Sequence, residues 1–402
     1  MEGDLVDRTT VVFCRDVADA ARSRRGFRAV QTVTAGPIEF EARVRVHGPA
    51  ISVEYRRYVS PLVDLEDRLT GNAEFLADEL VALSFQFDGQ VTWLYDATTG
   101  TAIEKPYRAL SEPFPGVWAV ADLGFLRDLP HDFLLRERDT ETIDGRPTRV
   151  IDLKPRMPLV SGLLRVTSFP IERATVAFDV ETLFPSRILV HPAARSSLQA
   201  LIGSGGVEIR YGDVVEEPAA EPISFAPPED AHVFREQALG ISDLAERAPF
   251  EISLGPFASS GFTPVEPGTL TMNDAGDRAH GTILLEGDAT PGSANSIVTL
   301  RFGNYLARDM ARRNTAISEQ GDAFEIAGRT VKMLDRQSMW EESLPSAQTA
   351  DAPIEFAWQE GGVYWFAIGH RLDKAAFRTL IETRVREGSS GEGHDADGSR
   401  DA

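Results

Sequence analysis

The chain has 402 residues, 42% of them hydrophobic and 26% charged, and a formal net charge of -21 from 62 acidic against 41 basic side chains. Such apolar content excludes wholesale disorder, and the length exceeds one ordinary domain, so two or three domains are expected. Nucleic acid is excluded as a partner, because no basic surplus exists to neutralise phosphates.

Asp7 is a suitable N-cap for a helix running to about Arg25, with Val11, Val12, Val17 and Ala18 near helical spacing. The lone Cys14 within it excludes an intramolecular disulfide and reads as a buried helical thiol. A lipoprotein-attachment cysteine is rejected, since the start is acidic and Phe13 rather than a small residue precedes it. Strands follow over Gly26–Thr34, Ile38–His47 and Ile51–Val59, with Gly36-Pro37 and Gly48-Pro49 as turns. In the second of these, Ile38, Phe40, Ala42, Val44 and Val46 alternate with Glu39, Glu41, Arg43, Arg45 and His47. Period-2 alternation of this kind belongs to an antiparallel sheet with one buried and one wet face.

Residues Leu65–Leu80 read as a helix, and Asp88-Gly89 as the turn of a hairpin carrying Trp93 and Tyr95. A short helix over Asp122–Asp128 leads to a second hairpin turning at Asp144-Gly145. A third spans Ala174–His191, and a further strand Val207–Val214. The Pro- and Glu-rich stretch Glu216–Asp230 marks a boundary, so the expected organisation is a domain over 1–220, a linker over 221–240 and a second domain over 241–387. That second domain should hold a helix at Ser242–Glu246 and strands near Phe250–Leu254, Gly268–Met272, Gly281–Glu286 and Ser296–Phe302. It continues with a hairpin over Phe324–Leu334 turning at Ala327-Gly328, a Gly361-Gly362 hairpin, and a final helix from Asp373. The tail 388–402 is compositionally disordered.

Chemistry is harder to find. The seven histidines are scattered without metal-motif spacing, and GSGG at Gly203–Gly206 lacks the Lys-Ser/Thr of a phosphate loop and the frame of a nucleophile elbow. The acidic clusters Asp64/Glu66/Asp67 and Glu141/Asp144 read as solvated surface, and Arg308–Asn314 as a basic patch paired with neighbouring acids. No catalytic residue, metal ligand or cofactor is predicted, and the chain reads as a binding protein. No stretch approaches the roughly 18 apolar residues of a membrane span.

The order of these elements, with Asp88, Gly89, Trp93 and Tyr95 in one hairpin and Asp179, Thr182, Pro185 and Arg187 in a later one, resembles the LolA-like fold of lipoprotein carriers and RseB-type sensors over about residues 5–230. Residues 240–386 resemble a small domain of unknown function often found after such modules, on EIAGRTVKML, IEFAWQEGGVYWFAIGH and LDKAAFRTLIETRV. The resemblance implies an α+β, mostly antiparallel fold, a curved half-barrel sheet covered by helices, followed by a second, smaller α+β domain. It implies a lipid or an acylated protein segment held on the concave face. By position and alternation the candidate lining residues are Phe40, Val44, Val46, Val53, Tyr55, Phe85, Phe87, Trp93 and Tyr95. The alternatives are a regulatory or envelope-stress sensor that meets a protein partner through the C-terminal domain, and a structural surface protein. The resemblance implies an extracytoplasmic location, whereas the chain as written shows no export signal.

Only four of the 41 basic residues are lysine (Lys105, Lys154, Lys332, Lys374), the rest being arginine. An acidic, lysine-poor composition resembles that of haloarchaeal proteins. A high-GC genome would explain the arginine preference but not the charge. The expected result is a melting midpoint that rises in sodium chloride from about 0.1 to 3 M, where the screening length shrinks to roughly 3 Å and self-repulsion of the carboxylates fades. A flat or falling midpoint would remove the halophilic reading.

Overall fold

The computed structural model describes residues 8–36, 38–59, 83–106, 126, 129–156, 171–192, 206–216, 223–287, 296–336 and 353–391. They fall into two compact units, one up to His232 and the other from Val233. The expected helices at 65–80 and 122–128 lie outside the described residues, apart from Leu126.

The first unit opens with α1 (Arg8–Ser23), then β1 (Gly26–Ala35), β2 (Ile38–His47), β3 (Ala50–Val59), β4 (Leu83–Phe87), β5 (Thr92–Asp96) and β6 (Thr101–Lys105). A single turn, α2 (Leu129–Asp132), precedes β7 (Phe133–Glu137), β8 (Glu141–Ile143), β9 (Arg146–Pro155), β10 (Ile171–Asp179), β11 (Pro185–Pro192) and β12 (Val207–Glu216). Every pairing is antiparallel, in the order β6-β5-β4-β3-β2-β1-β12-β11-β10-β9, with β7 and β8 both beside β9. No described pairing joins β6 to β7 or β8, so the sheet is open. Its register shifts between Arg28 and Val30 against β12 and between Glu41 and Ala42 against β3, and such bulges sharpen the local twist. Asp144 and Gly145, at φ 51° and 77°, make the tight β8–β9 turn that the Asp-Gly pair predicts.

One face of this sheet is packed by α1. Phe13, Cys14, Val17 and Ala18 are buried, and the Phe13 ring meets Phe178 edge-on at 5.9 Å. An ion pair fixes the helix from below. Arg149 Nε donates to Glu137 Oε1 at 2.8 Å, Thr10 Oγ1 donates to Glu137 Oε2 at 3.1 Å, and the Arg149 guanidinium lies 4.0 Å from the Phe13 ring centroid.

Composition misleads in the stretch expected as a linker. Ile223 is buried, Phe225 packs on Trp93 and Tyr95 with centroids 5.5 and 5.8 Å away, and His232–Leu239 forms a strand. The prolines signal the absence of helix; they do not signal the absence of packing.

The second unit holds β13 (His232–Leu239), α3 (Ile241–Arg247), α4 (Gly255–Ser259), β14 (Phe262–Asn273), β15 (Ala279–Gly287) and β16 (Ile297–Gly303). After α5 (Arg308–Gln320) come β17 (Asp322–Ile326), β18 (Arg329–Asp335), β19 (Ile354–Glu360), β20 (Val363–His370) and α6 (Lys374–Gly391). Its antiparallel order is β13-β14-β15-β16-β20-β19-β18-β17. The strand expected at Phe250–Leu254 is irregular. Phe250, Ile252 and Leu254 are partly buried against the core without a ladder, so their alternation records burial rather than pairing. The last helix runs to Gly391, past the expected start of the tail.

β19 is buried on both faces, from Ile354 to Trp358. Phe356, Trp358 and Trp365 face one core with Phe377, Leu380 and Ile381 of α6, while Ala357 and Phe366 meet Met310 and Ile317 of α5. The Trp358 and Trp365 rings stack at 6.0 Å, and Arg384 lies 4.7 Å from the Trp365 centroid while its Nη1 donates to Glu360 Oε2 at 3.0 Å. Gly369 makes the α6 contact possible, because a Cβ there would stand 2.5 Å from Phe377 Cε1. Gly369→Ala is therefore expected to cost about 1–3 kcal/mol by overpacking, seen as a lower urea midpoint at unchanged slope. An unchanged midpoint would mean that α6 shifts freely.

Candidate binding face

The register of the first sheet assembles the site. Opposed residues share a face, so the pairings can be followed from strand to strand. One row runs Leu94–Phe85–Val53–Val44–Ala29 across β5 to β1. The next runs Tyr55–Ala42–Gln31–Tyr211 across β3, β2, β1 and β12. A third, Phe40–Val33–Ile209–Ile188–Val176–Ile151, crosses to β9. A fourth, Ala35–Val207–Val190–Ala174–Leu153–Leu135, reaches β7. All but Leu94 and Gln31 are buried members of one apolar cluster, against which Leu94 packs half-buried. Gln31 is fully buried as well.

Phe40, Val44, Val46, Val53, Tyr55, Phe85 and Phe87 thus share one face and are buried in it. Trp93 and Tyr95 do not join them. They oppose Gln86 and Ser84, one step out of phase with the Phe85–Leu94 pair, so they lie half-buried on the other face against Phe225. Alternation with Thr92 and Leu94 suggested the inner face for this pair, but the β4–β5 turn sets the phase, and it is Leu94 that faces in opposite Phe85. The residues that sequence reasoning passed over are Gln31, Tyr211 and the apolar side chains of β9 to β12. For β12 the signal was present as period 2 in VEIRY, where Val207, Ile209 and Tyr211 alternate with Glu208 and Arg210, whereas RILVH is apolar at three successive positions and sets no phase.

Several ionisable groups of this unit have structural work. Burial pushes the Cys14 thiol up to about 12, against the lowering effect of Arg149, so it stays protonated and unreactive. Burial likewise keeps the Tyr55 phenol neutral. The motif aspartates shape turns. Asp88 Oδ1 accepts from the Gln90 and Val91 amides at 2.8 and 2.9 Å, and Asp179 Oδ1 from those of Glu181 and Thr182 at 2.9 Å each. Burial would raise the Asp179 carboxyl, but these amides and Arg146 outweigh it and hold the group below its usual range. Glu141 is engaged by Arg187 at 2.7 Å. Among the described residues no group of three or more His, Cys, Asp or Glu could hold a metal ion, and no helix is long and apolar enough to cross a membrane. The 64–67 acidic cluster lies outside the described residues.

No known protein family matches the chain, and no curated protein does. Solved structures similar to it include an uncharacterised conserved protein from Thermus thermophilus, at 12% identity over 55% of this chain and 97% of that one, with a TM-score of 0.33. MucB of Pseudomonas aeruginosa, in its complex with MucA, aligns at 10% identity over 92% of this chain and 96% of its own, with a TM-score of 0.31. The lipoprotein LppX of Mycobacterium tuberculosis aligns at 15% identity over 53% of this chain and 98% of its own, also with a TM-score of 0.31.

Proposed function

We propose that this chain is a non-catalytic binding protein that holds a hydrophobic ligand, a lipid chain or an acylated protein segment, on the inner face of the first sheet. The observation that carries the reading is the set of four rows, apolar except at Gln31 and together running from β5 to β7 on one side of an open sheet. Withdrawing a large apolar side chain fully from water is worth about 1.5–3 kcal/mol, so a face this long is stable only when covered. A flexible acyl chain can take the place of covering side chains at little cost, because it offers the same non-directional burial. Catalysis has little to work with here: the thiol is protonated, Asp88 and Asp179 hold turn amides, and Glu137 is paired with Arg149.

Native mass spectrometry of the full chain after mild extraction tests the reading. Co-purified lipid in a fixed ratio is the expected result. A stoichiometric protein in its place favours a regulatory sensor, and a bare chain that takes up no lipid leaves a structural role.

A further inference from the structure

The second row of the inner face differs in kind from the others. It places Tyr55, Ala42, Gln31 and Tyr211 side by side across β3, β2, β1 and β12. Gln31 Nε2 donates to the Tyr211 hydroxyl at 3.2 Å, and Gln31 is fully buried. Around them on the same face stand Ala29, Val33, Phe40, Val44, Val53 and Ile209, all apolar. The tyrosines are braced, Tyr55 edge-on to Phe40 at 5.9 Å and Tyr211 edge-on to Phe184 at 5.6 Å. Ala42 offers only a methyl between Tyr55 and Gln31, so the floor is lowest beside the amide.

We propose that Tyr55, Gln31 and Tyr211 form a recognition element within the apolar face, selecting a ligand that carries an uncharged hydrogen-bonding group (an ester, amide or hydroxyl) next to its chain. The proposal rests on the hydrophobic-ligand reading above and adds to it the class of ligand. A buried amide costs desolvation wherever its hydrogen bonds are not made, and an apolar side chain at position 31 would cover the floor without that cost. A primary amide has two donors and a carbonyl acceptor, and a phenol both gives and takes, so the row can meet either a carbonyl or a hydroxyl. A charged head group is disfavoured, because the surrounding six side chains supply no counter-charge.

The test uses the full chain loaded with the fluorophore N-phenyl-1-naphthylamine and displaced by two probes of one chain length, methyl laurate and dodecane. Gln31→Leu keeps the volume and removes the amide, while Tyr211→Phe removes only a hydroxyl. The expected result is that each variant weakens displacement by methyl laurate roughly tenfold, the worth of about one hydrogen bond, with dodecane changed less than about twofold. Should Gln31→Leu fail to fold, Tyr211→Phe alone decides. An unchanged ratio between the two probes, or equal loss for both, makes the row a packing element and overturns the proposal. Failure of the wild-type chain to bind the fluorophore or either probe removes the hydrophobic-ligand reading itself, a result distinct from an unchanged ratio.

Discussion

Replacing Glu355 by alanine is expected to destabilise the second unit by about 3–5 kcal/mol, the usual cost of removing one partner from a buried ion pair. Glu355 lies near the start of β19 with no exposure, between Arg313 of α5 at 2.6 Å and Arg336, just after β18, at 2.5 Å. The three side chains hold α5 against the face of the sheet that α6 does not cover. Without the carboxylate, two guanidinium groups with almost no access to water would face each other. Exchanging all three residues for apolar ones of similar volume should recover most of the loss, because the desolvation cost leaves with the charges.

The same triad sets a pH dependence. Burial alone would raise the Glu355 carboxyl, but Arg313 and Arg336 outweigh it, and the folded-state value lies below the ordinary one. The contribution is therefore present in full above the unfolded glutamate value of about 4.3 and is lost as pH falls through the folded value. Urea unfolding of wild type and Glu355→Gln at several pH values between about 3 and 7 measures both effects. A loss under about 1 kcal/mol, or acid slopes that match in the two proteins, would show that the triad does not anchor α5.

Phe40→Ala is expected to cost about 3–5 kcal/mol and to weaken binding of the naphthylamine probe. The side chain is fully buried on the inner face, in the row it shares with Val33 and Ile209, and it braces Tyr55. Trp93→Ala supplies the contrast. Its half-buried ring lies on the opposite face and packs on Phe225, so the loss should be about 1–2 kcal/mol and the probe should bind as before. A larger cost at Trp93 than at Phe40, or a change in probe binding at Trp93 alone, would put the ligand on the outer face.

Much of this architecture can be read in the residues. Alternation in IEFEARVRVH, Asp-Gly at 144–145 and the paired glycines at 361–362 place strands and turns within a residue or two, because side-chain period and turn conformation are local properties. The buried face of β2 follows from that alternation alone. Which residues of β5 join it does not, because the phase depends on how the turn after β4 closes, and Trp93 and Tyr95 came out on the far side. Phe250–Leu254 shows the same limit, since alternating burial arises wherever a segment lies along a core, with or without a neighbouring strand. The buried charges were the least legible. Arg313 reads as one member of a surface patch and Glu355 as one acid among 62 until α5, β19 and the end of β18 meet, some 20 to 40 residues apart in the chain. Gln31 and Tyr211 likewise become a pair only through the β1–β12 ladder, across 180 residues. Local order is set by each residue's own geometry and neighbours, so the sequence carries it; partners brought together by long-range pairing, and the sites they form, exist only once the sheets have assembled.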